Sequence, residues 1–526
     1  MARPGFDDFL PNGPWRAPRD HRPVTHRPPS LTSHGRAGAN IVGGVRQVIA
    51  RPATQPGAPS RPGAVLLAGI VAFAVALAGY LVYVAIHPLW WMFNPVDLHV
   101  YLGGGLIARH VLPVYDPHLA APLYSWRGYP KENLQFTYPP FAAVVFAVVS
   151  FIPWSVLRPA SVTANIVLLL VALWITFRAL GYRNGQVRLG ATLLTAAVVL
   201  WTEPVLRTIY LGQVNIALMA LILWDLTQPD TRASRWWKGA GVGIAAGIKL
   251  VPLIFIPYLL LARKFRQAAV AAGVFAVTIV AGFVFLPADS RLWWLHGLFL
   301  DSRRTGFVSW GGSQSLRALL ARSIGGVAAA QPAWLVAAVL VGAVGVTAAA
   351  MLDLAGHQLA GILTCALAGL LVSPVSWDHH WVWIAPTVAA AACYAVGAMR
   401  ADAQRTWWRA AARWPAVGFW ALAAGIVAVF GAWPDSLWNK PWAASHFAFG
   451  LIWVAPNSDT AIYVSRGDEP WFREYHWTGW YWLGGNSFVL GGLILLGILV
   501  ILAVRQRPGL LAVASNRSRE PAGTGS

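Results

Sequence analysis

Apolar stretches separated by short polar connections run through this chain from residue 64 to residue 503. They lie near 64–87, 139–155, 161–178, 188–204, 212–227, 238–262, 267–286, 332–350, 359–373, 381–398, 414–433 and 486–503. A helix crosses the hydrocarbon core of a bilayer with roughly 20 mainly apolar residues. The pattern predicts an all-α, polytopic integral membrane protein with roughly 10–13 membrane helices, some of them re-entrant or broken. Lys249 and Pro252 interrupt the 238–262 stretch at its midpoint. About twelve residues of helix rise only about 18 Å, too little to cross. That stretch reads as two half-helices.

Composition supports the class: 57% of the 526 residues are apolar and 11% are charged. Lys and Arg number 40 against 20 Asp and Glu. In a soluble chain this excess would suggest nucleic acid. Here the cations lie in tails and short loops, the positive-inside pattern that orients a membrane protein, so no nucleic-acid partner is expected. The basic clusters are the N-terminal tail, Arg178/Arg183/Arg188, Arg232/Arg235/Lys238, Arg263/Lys264/Arg266 and Arg400/Arg405/Arg409/Arg413, read as loops without matching acids. Holding all of them inside makes 139–160 dip in and return, and puts both termini in the cytoplasm of a plasma-membrane protein. Residues 1–62 read as a disordered basic tail, 63–504 as the membrane domain and 505–526 as a second tail. Cys365 and Cys393 lie in apolar helices, so neither a disulfide framework nor a metal-ligand spacing is expected.

Under this threading the polar motifs converge on the outer face. They are Asp97, FTYPPF (136–141), WTEP (201–204), LGQVN (211–215), GIKLVP (247–252), SWDHHW (376–381) and the loops 88–138, 287–330 and 434–485. Asp97, in NPVDLHVYLGGG, is the leading candidate for a general base; a solvated loop acid is the plainer alternative. Leu98, Tyr101, Leu102, Leu106 and Ile107 recur at helical spacing. They predict a short interfacial helix with Asp97 as its N-cap, where the helix dipole favours an ionised carboxylate. Asp116 and Glu132 are the other acids before the next apolar stretch.

Lys249 inside an apolar stretch is costly enough to suggest function, with an anionic head group as its partner; snorkelling is the alternative. Arg207 is read in the same role unless Glu203 pairs with it. His379 and His380 lack metal-site spacing and suit hydrogen bonding to a phosphate, or a structural place. Gln213, Asn215, Gln314 and Ser315 offer neutral groups of the kind that read sugar hydroxyls, and His99, Tyr101, Tyr138, Glu203 and Asp378 join them as candidate sugar or acceptor contacts. Trp438, Trp442, Trp471, Trp477, Trp480 and Trp482 read as an interfacial belt more than as stacking platforms. LGGG is wrongly placed for a nucleotide-binding loop.

Together, DLHVYLGG, FTYPPFAAVVF, WTEP–LGQVN, GIKLVP, SQS and SPVSWDHHWVW resemble glycosyltransferase family 87, most closely its mycobacterial polyprenol-phosphate-mannose-dependent α-(1,2)-mannosyltransferases. The likeness runs from about residue 64 to 398. Alanine-, arginine-, glycine- and tryptophan-rich usage with only five lysines fits an actinobacterial source. The resemblance implies a GT-C fold, a lipid-phosphate sugar donor, a catalytic aspartate at Asp97, and His379 and His380 near the donor phosphate. It implies a polyprenyl-phosphate-mannose donor and a glycolipid or lipoglycan acceptor, with no cofactor. Two positions depart from the family pattern: Asp378, where Ser or Thr is frequent, and Ser313, where Asn precedes the Gln-Ser pair. The expected reaction is an inverting transfer with one base, since a phosphate leaving group needs no paired acid. A polyprenyl-phosphate-arabinose donor and a lipid-linked sugar flippase are the alternatives; the flippase lacks support, because the break at Lys249 has no counterpart later in the chain.

Overall fold

The computed structural model describes residues 61–86, 95–116, 118–119, 135–403, 414–433, 450–456 and 472–517. The tail to residue 60, Glu132, Arg405, Arg409, Arg413, Trp438, Trp442 and Trp471 lie outside the described residues. Among the described residues six helices are long and apolar enough to cross a membrane, and five shorter apolar helices accompany them. The protein is an all-α membrane protein.

Helix α1 (Pro62–Ile86) leads to α2 (Val96–Arg109). The expected N-cap at Asp97 is corrected: Pro95 occupies that position, and no side chain caps the helix. The proline ring fixes φ at the helix entrance, so the helix starts one residue before the aspartate and Asp97 sits in its first turn. Leu98, Tyr101 and Ile107 are buried as the periodicity predicts, but Gly103, Gly104 and Gly105 share the buried face, and Leu102 and Leu106 are only half-buried. The glycines mark where α2 presses on α3 (Pro140–Val149). A Cβ on Gly105 would stand 2.2 Å from the Phe146 carbonyl oxygen. Helices that approach this closely need small residues.

At ten residues α3 rises about 15 Å and stops short of a crossing before α4 (Trp154–Ala179). After α5 (Gly185–Val199), the WTEP–LGQVN region forms a short helix, α6 (Glu203–Leu211), every residue of which is buried. Gly212, at φ 67°, ends α6, and α7 (Asn215–Leu226) leaves at 113° to it. Only a residue tolerant of the left-handed region turns the chain here.

The predicted break at Lys249 is present. Helix α8 (Ala240–Ile248) ends where Lys249 turns extended, followed by a 3-10 turn at Val251–Ile254 and α9 (Phe255–Leu261). Beyond α10 (Phe265–Phe285) come α11 (Leu316–Ile324), α12 (Val327–Leu354) and α13 (Gln358–Val372). SWDHHW forms a 3-10 turn, Asp378–Trp383, that runs into α14 (Ile384–Ala403). Then follow α15 (Trp414–Phe430), α16 (Gly479–Gly485) and α17 (Ser487–Arg517). Helix α17 continues past residue 505, so the stretch expected as a tail begins as helix.

Two basic loops have acids after all. Lys238 pairs with Asp230 at 3.0 Å and Lys264 with Asp353 at 2.6 Å. Asp225, near the end of α7, accepts the backbone N–H groups of Gly239 at 2.8 Å and Val242 at 3.1 Å, supplying partners to the start of α8. These contacts bring the loops at Lys238 and Lys264 together at the end of α7 away from Asn215. Gly105→Val is expected to force α2 from α3 and destabilise the protein by about 1–3 kcal/mol, read as a lower thermal midpoint in detergent; an unchanged midpoint would refute the close packing.

Candidate active site

The Asp378–Trp383 turn is the hub onto which the other motifs converge. Its backbone is held from one side by the SQS loop: Asp378 N–H donates to Gly312 O at 2.8 Å, and Gln314 N–H to Ser376 O at 2.6 Å. From the other side, Thr208 Oγ1 of α6 and Asn215 Nδ2 of α7 both donate to the His379 carbonyl at 2.9 Å. The turn is thus anchored by side chains far away in sequence, because inside a membrane protein its polar backbone has no water to bond.

Asp378 is 1% exposed and receives three donors. Arg207 Nε pairs with Oδ2 at 3.1 Å, while Oδ1 accepts from the His379 backbone at 2.7 Å and lies 2.9 Å from His379 Nδ1. Arg207 and Asp378, assigned from sequence to phosphate and to sugar, therefore bind each other. Glu203 lies within electrostatic reach of both and accepts from Trp453 Nε1, which ties residues 450–456 to α6.

Lys249 stands at the front of this hub. Its amine donates to Asn215 Oδ1 at 2.9 Å and lies 2.9 Å from His380 Nε2. The Tyr138 ring is 5.9 Å away. Tyr138 and Tyr101 share a hydroxyl–hydroxyl bond of 3.0 Å, and Tyr101 donates to Gln213 Oε1 at 2.5 Å. Asp97, half-buried at the start of α2, acts electrostatically on Lys249, Arg207, Tyr101 and Tyr138 together. The break at Lys249 explains the placement: an extended residue between half-helices points an amine into the protein where a continuous helix would only cross it.

A cleft opens beside the amine. Asn215, Lys249 and His380 form its polar end, and Leu218, Met219, Phe255, Leu370 and Trp383 are among its apolar walls. Among the described residues no three His, Cys, Asp or Glu side chains are grouped to share a metal ion.

Other candidates sit apart. Gln314 is fully buried, and its amide bonds the backbone of Gly311, Gly485 and Val489. Ser315 caps α11, and His99 stacks on Trp154 at 3.9 Å. Trp477 Nε1 bonds Pro456 O, and Trp482 Nε1 bonds Ser323 Oγ. Sequence reading missed Thr208 and Arg322. Arg322 is 2% exposed, bonds Asn486 Oδ1 and the carbonyls of Trp310 and Ser313, and burial pushes its guanidinium down to about 9. Its place in a short helix with a second arginine, Arg317, was the only signal, and nothing local named its partners.

The profile of glycosyltransferase family 87 matches residues 136–374. A polyprenol-phosphate-mannose-dependent α-(1-2)-phosphatidylinositol pentamannoside mannosyltransferase of Mycolicibacterium smegmatis is 33% identical over 294 residues, 56% of this chain and 68% of the relative. This chain belongs to glycosyltransferase family 87. The enzyme of the same description from Mycobacterium tuberculosis strain CDC 1551 is 34% identical over 296 residues, 56% of this chain and 65% of that protein. A polyprenol-phosphate-mannose-dependent α-(1-2)-phosphatidylinositol mannoside mannosyltransferase of M. tuberculosis strain H37Rv is 34% identical over 266 residues, 49% of this chain and 61% of its own length. The match thus spans just under two thirds of the first M. tuberculosis protein. No solved structure matches. The family-87 match in this chain brackets Lys249 and Asn215 but stops short of the histidine pair, and begins after Asp97.

Removing one member of a buried ion pair leaves the other uncompensated, at about 3–5 kcal/mol. Asp378→Ala is expected to show that loss in thermal unfolding, and the double variant Arg207→Met/Asp378→Leu to recover most of it. Equal midpoints for Asp378→Ala and wild type would refute the pairing.

Proposed function

We propose that this family-87 protein is an inverting membrane mannosyltransferase that moves mannose from polyprenyl-phosphate-mannose to a glycolipid or lipoglycan acceptor, forming an α-(1,2) linkage. The observation that carries this reading is the cleft with Lys249, Asn215 and His380 at one polar end, with Asp97 on α2 in electrostatic reach of Lys249. The amine and imidazole meet the donor phosphate, and the apolar walls take the isoprenoid chain. Asp97 removes the acceptor's proton as its oxygen attacks the anomeric carbon from the face opposite the phosphate. The mannose-dependent relatives support the donor assignment, and their phosphatidylinositol mannoside substrates support a glycolipid acceptor. The basic loops at Lys238 and Lys264, together at the far end of α7, support an outward-facing site in the plasma membrane; the charge threading would then put both termini inside.

Asp97 does the work of a general base, typically worth a factor of ~10²–10⁴. Asp97→Asn is expected to lower turnover by about that factor while the protein stays folded; wild-type turnover in membranes would remove Asp97 from the mechanism. Feeding membranes labelled polyprenyl-phosphate-mannose or polyprenyl-phosphate-arabinose, then identifying the linkage formed, tests the donor. Product from arabinose alone, or movement of donor across the membrane without product, would replace this reading. Because the donor is a monophosphate, EDTA is expected to leave the rate unchanged, and abolition of activity by EDTA would count against the mechanism.

A further inference from the structure

Two hydrogen bonds fix where the protons of His380 and Lys249 lie. The backbone N–H of Trp377 donates to His380 Nδ1 at 3.2 Å. A ring nitrogen that accepts carries no hydrogen, so the hydrogen of this imidazole is on Nε2. Nε2 stands 2.9 Å from Lys249 Nζ. A ring N–H bonds there only to a lone pair, and an ammonium has none. An uncharged amine accepts from His380 and still donates to Asn215 Oδ1, so each atom of the triad has one compatible role. An ammonium in the same place sets two donors against each other.

No close counter-ion among the described residues stands against this assignment. Among the described residues no carboxylate lies within ion-pairing distance of Lys249. Asp97, on α2, acts on it from farther away. The Tyr138 ring faces it from before α3. His379 stands behind His380, the two rings 4.8 Å apart, and Arg207 is already paired with Asp378.

Charge balance gives such an amine a task in the transfer proposed above, on which this inference rests. The bond between anomeric carbon and phosphate oxygen breaks, and its electron pair stays with the phosphate. The acceptor oxygen bonds the carbon and loses its proton to Asp97. A phosphodiester monoanion thus becomes a monoester with one more negative charge, and one proton is left over. We propose that this proton passes from Asp97 to Lys249, which rests as an uncharged amine and becomes an ammonium against the new phosphate charge. The ion pair forms only as the leaving group departs, so it favours the transition state over the bound donor. Asp97 is returned ionised.

Counting protons on binding tests this without turnover. Farnesyl phosphate, a short mimic of the leaving group, is titrated calorimetrically into the detergent-solubilised full chain at about pH 8, where the free phosphate is already a dianion. Two buffers of different ionisation enthalpy yield the proton count. The wild type is expected to take up about one proton per phosphate bound, and Lys249→Arg, permanently charged, none. Zero uptake by the wild type overturns the proposal, and so does undiminished uptake by Lys249→Arg. The wild-type count decides alone if the variant does not fold. Turnover separates the roles again: Lys249→Arg is expected to hold the donor KM near wild type while kcat falls about 10²-fold. Full kcat in that variant would make Lys249 a plain anion-binding residue and end the proposal. Failure of the wild type to bind farnesyl phosphate at all would instead sink the donor reading, and this inference with it.

Discussion

The Asp378 carboxylate, held between the Arg207 guanidinium and His379, is the interaction on which the site depends. Its burial leaves no solvent to share the charge, so Arg207 and the two N–H groups of His379 have to meet it. Those bonds set the orientation of the whole 378–383 turn. The turn in turn carries His380 to Lys249 and offers the His379 carbonyl to Thr208 and Asn215. Four sequence-distant segments are therefore fixed relative to one another by polar groups that would otherwise be unsatisfied.

Around that hub, elements that look like defects in a membrane helix do the positioning. The extended Lys249 delivers an amine to the polar end of an apolar cleft. The left-handed Gly212 ends α6 and lets α7 depart at a steep angle, so that Arg207 and Asn215 approach the same turn from different directions. The glycines of α2 bring that helix against α3, with Tyr101 beside Tyr138. Broken backbone at membrane depth is tolerated only where protein supplies its partners, and here those partners are the candidate site itself.

Much of the candidate site was legible as a set of residue types. A lysine flanked by apolar residues and followed by proline signals a functional break because the bilayer penalises it. Adjacent histidines in a polar run at the edge of an apolar stretch suit either a phosphate contact or a structural place, and here His379 holds Asp378 while His380 reaches Lys249. Pairing was not legible. Arg207 was expected to face a phosphate and Asp378 a sugar, yet they bind each other across 171 positions. Asp97 was expected to cap a helix that Pro95 starts instead. The basic loops at Lys238 and Lys264 looked unpaired because their acids, Asp230 and Asp353, were not read against them.

From the amino-acid order alone came the class, the helical segments, the break at Lys249 and the family likeness, since hydropathy, charge bias and local motifs are short-range properties. The tertiary structure decided which polar groups neutralise one another and which are left to meet a ligand. Gln314, as plausible a sugar contact on paper as Asn215, bonds backbone on every side, while Asn215 joins Lys249 at the cleft. Partners of buried charges are chosen by the packing of whole helices, and no local pattern encodes that choice.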